Sequence, residues 1–225
     1  MDTRSWPISN KLIFNLFISS VIGAILLAIC SLISHTIVFS YLLWNLFLAW
    51  IPIFLSMRLV YILRYKKWSS YEAMILSFIW LLFLPNSFYM ISDYIHLQTA
   101  PSNDIVYYAV AFTSIIYTAV VIGFISLRMI HKELEKRFRR IDVSIIASLI
   151  IGINSLAIYI GRDLRLSSWA ILTNPGGLIF DISDRIIHVS DYPGIIATVG
   201  FFFILLSSIY FLALRSIKLI TNKQI

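Results

Sequence analysis

Four polar residues near the middle of the chain, Asn86, Tyr89, Asp93 and His96, are spaced so that an α-helix gathers them within an arc of about 80°. They form the sharpest chemical constellation in the sequence. A carboxyl and an imidazole at i and i+3 can pass a proton between them, and an amide and a phenol can orient a ligand beside them. Pro85 precedes the set, removes a backbone donor and permits a kink there. A second stripe lies further on. Asn154, Ile158, Arg162 and Arg165 stand at i, i+4, i+8 and i+11, so both arginines continue the line begun by Asn154. A guanidinium binds carboxylate or phosphate through two parallel hydrogen bonds, which suits this stripe to an anion. The plainer reading of both sets is structural. Asp93 and His96 would then cap a wet helix end, and Arg162 or Arg165 would pair with Asp93 or Asp163.

The elements that must position these residues are written in the charge pattern. Six stretches of 18 to 23 residues contain no Asp, Glu, Lys or Arg. They are residues 12–33, 39–57, 73–92, 105–127, 143–160 and 194–214. Each is long enough to cross a hydrocarbon core of about 30 Å as a helix, and helices satisfy their own backbone hydrogen bonds in lipid. The intervening gaps alternate in basic charge. Alternate gaps and the two tails hold 15 of the 18 Lys and Arg, and the remaining gaps hold only Arg162, Arg165 and Arg185. The expectation is an all-α, polytopic integral membrane protein of six transmembrane helices in one domain, residues 1–225, with both termini cytoplasmic.

Composition supports that class. The mean hydropathy is +0.88. The net charge of +7 is explained by insertion topology and anionic headgroups, so nucleic acid is not an expected partner. Membrane lipids are expected partners, and the protein partners open to such a chain are other membrane proteins or a second copy of itself. Cys30 lies inside the first run and has no second cysteine to pair with. That run is longer than a signal-peptide core and no small-x-small site follows it, so no cleavage is expected there. The charged stretch from Arg128 to Asp142 reads as a solvated helical extension.

The Gly161–Pro193 loop, outside by this topology, places Leu178, Ile179, Ile182 and Ile186 opposite Asp181, Asp184, Arg185 and His188. That is the pattern of a short amphipathic helix on the membrane surface. His35, His96 and His188 fall on the same side, yet no HExxH, CxxC or paired-histidine spacing is present. No metal site is expected, and His96 and His188 are the residues one would use. Ser167 and Ser168 lack a nucleophile elbow. Asn45 and Pro52 in the second run read as helix glue and kink.

The stretch Phe83-Leu84-Pro85-Asn86-Ser87-Phe88-Tyr89, with Asp93, His96 and Leu97, resembles a family of bacterial multi-pass membrane proteins known only as a domain of unknown function. Gly161-Arg162, Arg165, Ser168-Trp169 and Asn174-Pro175 are similar to a second signature of that family, and Tyr41 to Pro52 to its second helix. Phe88 stands in place of the family's second proline, and Ala170 where an acidic residue often follows the tryptophan. The resemblance implies a bacterial plasma-membrane location and supplies no activity or cofactor.

The sequence therefore favours binding of an anionic lipid headgroup or envelope intermediate at an outward-facing site between the third and fifth helices. Arg162 and Arg165 would hold the anion, Asn86, Tyr89 and Asp93 would position it, and His96 would exchange a proton. Two other classes stay open: an enzyme acting on that lipid, with Asp93 and His96 as its acid–base pair, and a scaffold in which every polar residue is structural.

Overall fold

The computed structural model describes residues 9–35, 37–163, 176–177, 184 and 193–222. Six α-helices cover the charge-free runs: α1 Asn10–Ile33, α2 Tyr41–Ile62, α3 Tyr71–Tyr89, α4 Ile105–Glu135, α5 Arg140–Asp163 and α6 Pro193–Asn222. All six, with 3₁₀ extensions on α2 and α3, are long and apolar enough to cross a membrane. No strand occurs among the described residues. The expected all-helical, multi-pass membrane architecture is borne out. The amphipathic helix expected in the last loop falls on residues outside the described set, apart from Asp184.

Two compact units divide the chain, Met1–Phe138 and Arg139–Ile225. In the first, α4 packs against α1, α2 and α3, and α2 packs against α3. Helices in lipid gain nothing from hiding apolar surface from one another, so close backbone approach and interhelical hydrogen bonds hold them together. Both devices are present. A methyl group added at Gly23 of α1 would lie 2.8 Å from Ile115 of α4, and one at Gly123 of α4 would lie 2.7 Å from Ser87 Cβ of α3. Ser19 of α1 meets Thr118 of α4 at 2.6 Å, and Ser34 meets Tyr108 at 2.6 Å. Trp80 of α3 donates to Ser126 of α4 at 2.8 Å, and Ser126 donates to the carbonyl of Pro52 in α2 at 2.9 Å. Phe39 sits edge-on to Tyr108 and Phe112 at 4.9 and 5.2 Å and seals the core at the end where α2 begins.

Two parts of this unit depart from the sequence reading. The charged stretch after Leu127 is helical to Glu135, breaks, and resumes as α5 at Arg140, and its first turn is packed rather than solvated. Met129, Ile130 and His131 are buried there, and Met129 Sδ accepts a hydrogen bond from Ser56 of α2. His131 and Arg128 both face Glu135, at 3.4 and 3.3 Å. The second departure is at the end of α3, where the chain stays helical beyond residue 92 but tightens into a 3₁₀ helix from Met90 to Thr99.

In the second unit α5 and α6 lie against each other. Their contact is looser, since a methyl group at Gly152 would meet Phe203 of α6 at 3.9 Å. Beside it runs an open groove of about 910 Å³ lined by Ile145, Leu149, Ile153, Ile196 and Phe203, with Arg140 at its start. Ile141, Ile145, Leu149 and Ile153 repeat every four residues and are all exposed, the surface a helix offers to acyl chains.

Candidate functional site

One face of α2 carries a row of polar contacts to α3 and α4. Tyr41, Asn45, Ala49, Pro52 and Ser56 recur at spacings of four, four, three and four, so they stack along a single stripe. Ser56 bonds Met129 of α4, the Pro52 carbonyl accepts from Ser126, and the Ala49 carbonyl accepts from Ser87 of α3 at 3.1 Å. The stripe ends in Asn45 and Tyr41, which meet the segment after α3.

That segment is the 3₁₀ helix Met90–Thr99. Ten residues is long for this conformation, whose poorer hydrogen-bond geometry usually limits it to three or four. With three residues per turn, side chains at i and i+3 eclipse. Met90, Asp93, His96 and Thr99 therefore share one edge. Burial falls along it: Met90 and Asp93 are buried, and His96 and Thr99 are exposed. The single α-helical arc expected for Asn86, Tyr89, Asp93 and His96 is thus broken at Met90. The first two lie on α3 and the last two on the 3₁₀ edge.

Asp93 is the most deeply placed of the four, with 2 % of its surface exposed. Its Oδ2 accepts a hydrogen bond from Asn45 Nδ2 at 3.1 Å. No Lys, Arg or His comes within ion-pair distance of it among the described residues. His96, at the rim, packs edge-on against the Tyr41 ring with centroids 5.6 Å apart. The Tyr41 hydroxyl is buried, has no hydrogen-bond partner among the described residues, and lies within electrostatic reach of Asp93 and Tyr89. Asn86 turns back on its own helix, donating to the Phe83 carbonyl at 3.1 Å beside Pro85. That bond supports the backbone next to the missing proline donor.

The second stripe stays α-helical to Asp163. Asn154 is fully buried and donates to the Ile150 carbonyl at 2.7 Å, and its Oδ1 is buried without a hydrogen-bond partner among the described residues. Arg162 is exposed in the last turn of α5 and makes no ion pair with a described residue. Arg165 and His188 lie outside the described residues. No group of three or more His, Cys, Asp or Glu able to hold a metal occurs among the described residues.

Tyr41 and Asn45 were not singled out as site residues from sequence, although Asn45 was read as glue between helices. Their i, i+4 spacing, continued through Ala49, Pro52 and Ser56, was the available signal. It is hidden because Ala49 and Pro52 take part through main-chain carbonyls, which no residue type reveals.

No curated protein and no solved structure matches the chain. A family model does match, over residues 44–207, a span that takes in Asn45, the α3 end, the 3₁₀ helix and both arginines. The chain belongs to the family described as protein of unknown function DUF1361.

Proposed function

We propose that the protein binds the polar headgroup of a membrane lipid or envelope intermediate, and that the cluster around Asp93 is its recognition site in the first unit. The observation that carries this reading is a carboxyl group 2 % exposed at the end of a membrane-spanning helix, met by one side-chain amide and no described cation. A buried ionisable group is expensive to maintain without a partner, so in a membrane protein it marks a site by default. In this reading Asn86 and Tyr89 flank the ligand beside Asp93, and His96 exchanges protons from the rim. Arg162, in the last turn of α5, and Arg165, outside the described residues, are assigned an anionic group, phosphate or carboxylate, on the chemistry of the guanidinium. The charge alternation supports cytoplasmic termini, and the family resemblance supports the bacterial plasma membrane.

The test is native mass spectrometry of the full chain purified from membranes, comparing wild type with Asp93→Asn, Arg162→Lys and Arg165→Lys. Selective retention of a polar lipid by wild type, reduced in the variants, is the expected result. Equal retention in all four proteins sinks the reading.

The 3₁₀ edge also favours a second reading, in which Asp93 and His96 act as an acid–base pair on the bound lipid. It has its own signature. His96→Gln should abolish turnover of retained lipid while leaving retention itself unchanged.

A further inference from the structure

We propose that the ligand group seated at Asp93 is a primary ammonium, held between the Asp93 carboxylate and the Tyr41 hydroxyl. The inference rests on the headgroup reading and names the chemistry of its site. Asp93 uses Oδ2 for Asn45, and among the described residues no cation stands within ion-pair distance. The Tyr41 hydroxyl is buried without a partner and within electrostatic reach of that carboxylate. Buried polar atoms are almost always paired, so an orphan hydroxyl one helical turn from the amide that holds Asp93, with its ring against His96, marks a place for a third group. Both atoms offered to that group are oxygens that accept hydrogen bonds. The complement is a donor bearing positive charge.

The surroundings agree. The Tyr41 ring packs edge-on against His96, the next residue along the Asp93 edge, and aromatic faces attract cations. A phosphate placed at Asp93 would instead meet like charge in a medium that screens poorly. A primary ammonium has three N–H donors, enough for the carboxylate, the hydroxyl and one further acceptor. The Tyr41 hydroxyl keeps its own hydrogen for an oxygen of the same headgroup. His96, exposed and edge-on to Tyr41, is the residue an entering headgroup meets first.

The experiment uses the full chain in nanodiscs holding equal amounts of phosphatidylethanolamine and phosphatidylglycerol with identical acyl chains. Native mass spectrometry reads the ratio retained after release. Wild type should enrich the ethanolamine lipid by about tenfold, as befits a desolvated charge pair. Asp93→Asn should bring the ratio to unity. Tyr41→Phe should lower it several-fold with an unchanged or raised melting temperature, because the hydroxyl it deletes has no hydrogen-bond partner among the described residues. A purely structural Tyr41 would leave the ratio unmoved. Displacement of the lipid by millimolar ethanolamine would show that the ammonium alone suffices, and enrichment that resists it would assign the whole headgroup. Enrichment unchanged in both variants overturns the proposal. Wild type that prefers phosphatidylglycerol, with the preference lost in Asp93→Asn, overturns the ammonium and leaves the headgroup reading standing. No preference in any of the proteins overturns both.

Discussion

The ends of α3 and α5 carry similar residues and have become different things. Each presents an amide followed by charged groups at helical spacing. After α3 the chain tightens into a 3₁₀ helix, and Asp93 is buried against an amide from α2. At the end of α5 the α-helix continues, Asn154 bonds its own backbone, and Arg162 stays exposed. What separates them is the partner. A polar side chain is drawn into the protein where a neighbouring helix offers a matching group at the same height, and otherwise satisfies itself locally or turns to the surface.

The strongest way to break this comparison is through the packing beneath it. Gly123→Ala should destabilise the protein by about 1–3 kcal/mol, because the new methyl meets Ser87 Cβ at 2.7 Å and the Phe88 ring at 3.0 Å. Gly152→Ala in α5 should instead be neutral or stabilise by up to about 1 kcal/mol, since its nearest neighbour is at 3.9 Å and alanine is the better helix former. Unfolding in mixed detergent measures both. Equal losses would mean that the two units are packed alike.

The amides sharpen the contrast at the sites themselves. Asn45→Ala should cost about 1–3 kcal/mol, by leaving Asp93 buried without its donor. Asn154→Leu should be tolerated or slightly stabilising, because it replaces a buried oxygen that has no partner among the described residues with apolar volume. The same unfolding assay decides. A larger loss at Asn154 than at Asn45 would reverse the assignment of partners.

Charge reads the exposed end. Arg162→Lys should leave the melting temperature unchanged while lowering retention of anionic lipid, since lysine keeps the charge and loses the planar fork. Unchanged retention on native mass spectrometry would remove Arg162 from any anion site. The smallest effect is expected at His35, an exposed residue with φ of 51° in the turn before α2. His35→Gly should raise stability by about 1 kcal/mol or less, because glycine enters the left-handed region without strain.

The six helices were legible because lipid leaves the backbone no alternative, so runs such as Leu12–Ile33 and Gly194–Leu214 announce themselves by the charges they lack. The site was legible only in part. Asp93 and His96 were candidates on type and spacing, but the arc drawn through Asn86 and Tyr89 assumed 100° per residue across a segment that turns more tightly. No residue in Met90–Thr99 signals that change. Asn45 was recognisable as glue, yet the sequence held no clue that Asp93 was what it held. The packed first turn after Leu127 was hidden as well, since Arg128 and Lys132 suggest solvent while Met129 and His131 lie between them facing inward.

The 3₁₀ helix is also a reserve of length. It rises about 2.0 Å per residue against 1.5 Å for an α-helix, so rewinding Met90–Thr99 would draw its ends together by about 5 Å. The same rewinding would turn His96 by about 60° about the axis relative to Asp93, from eclipsed to staggered. A bilayer that thins or thickens changes the height over which a spanning segment must reach. Were this stretch to rewind, its length and the spacing of the Asp93 carboxyl from the His96 imidazole would change together.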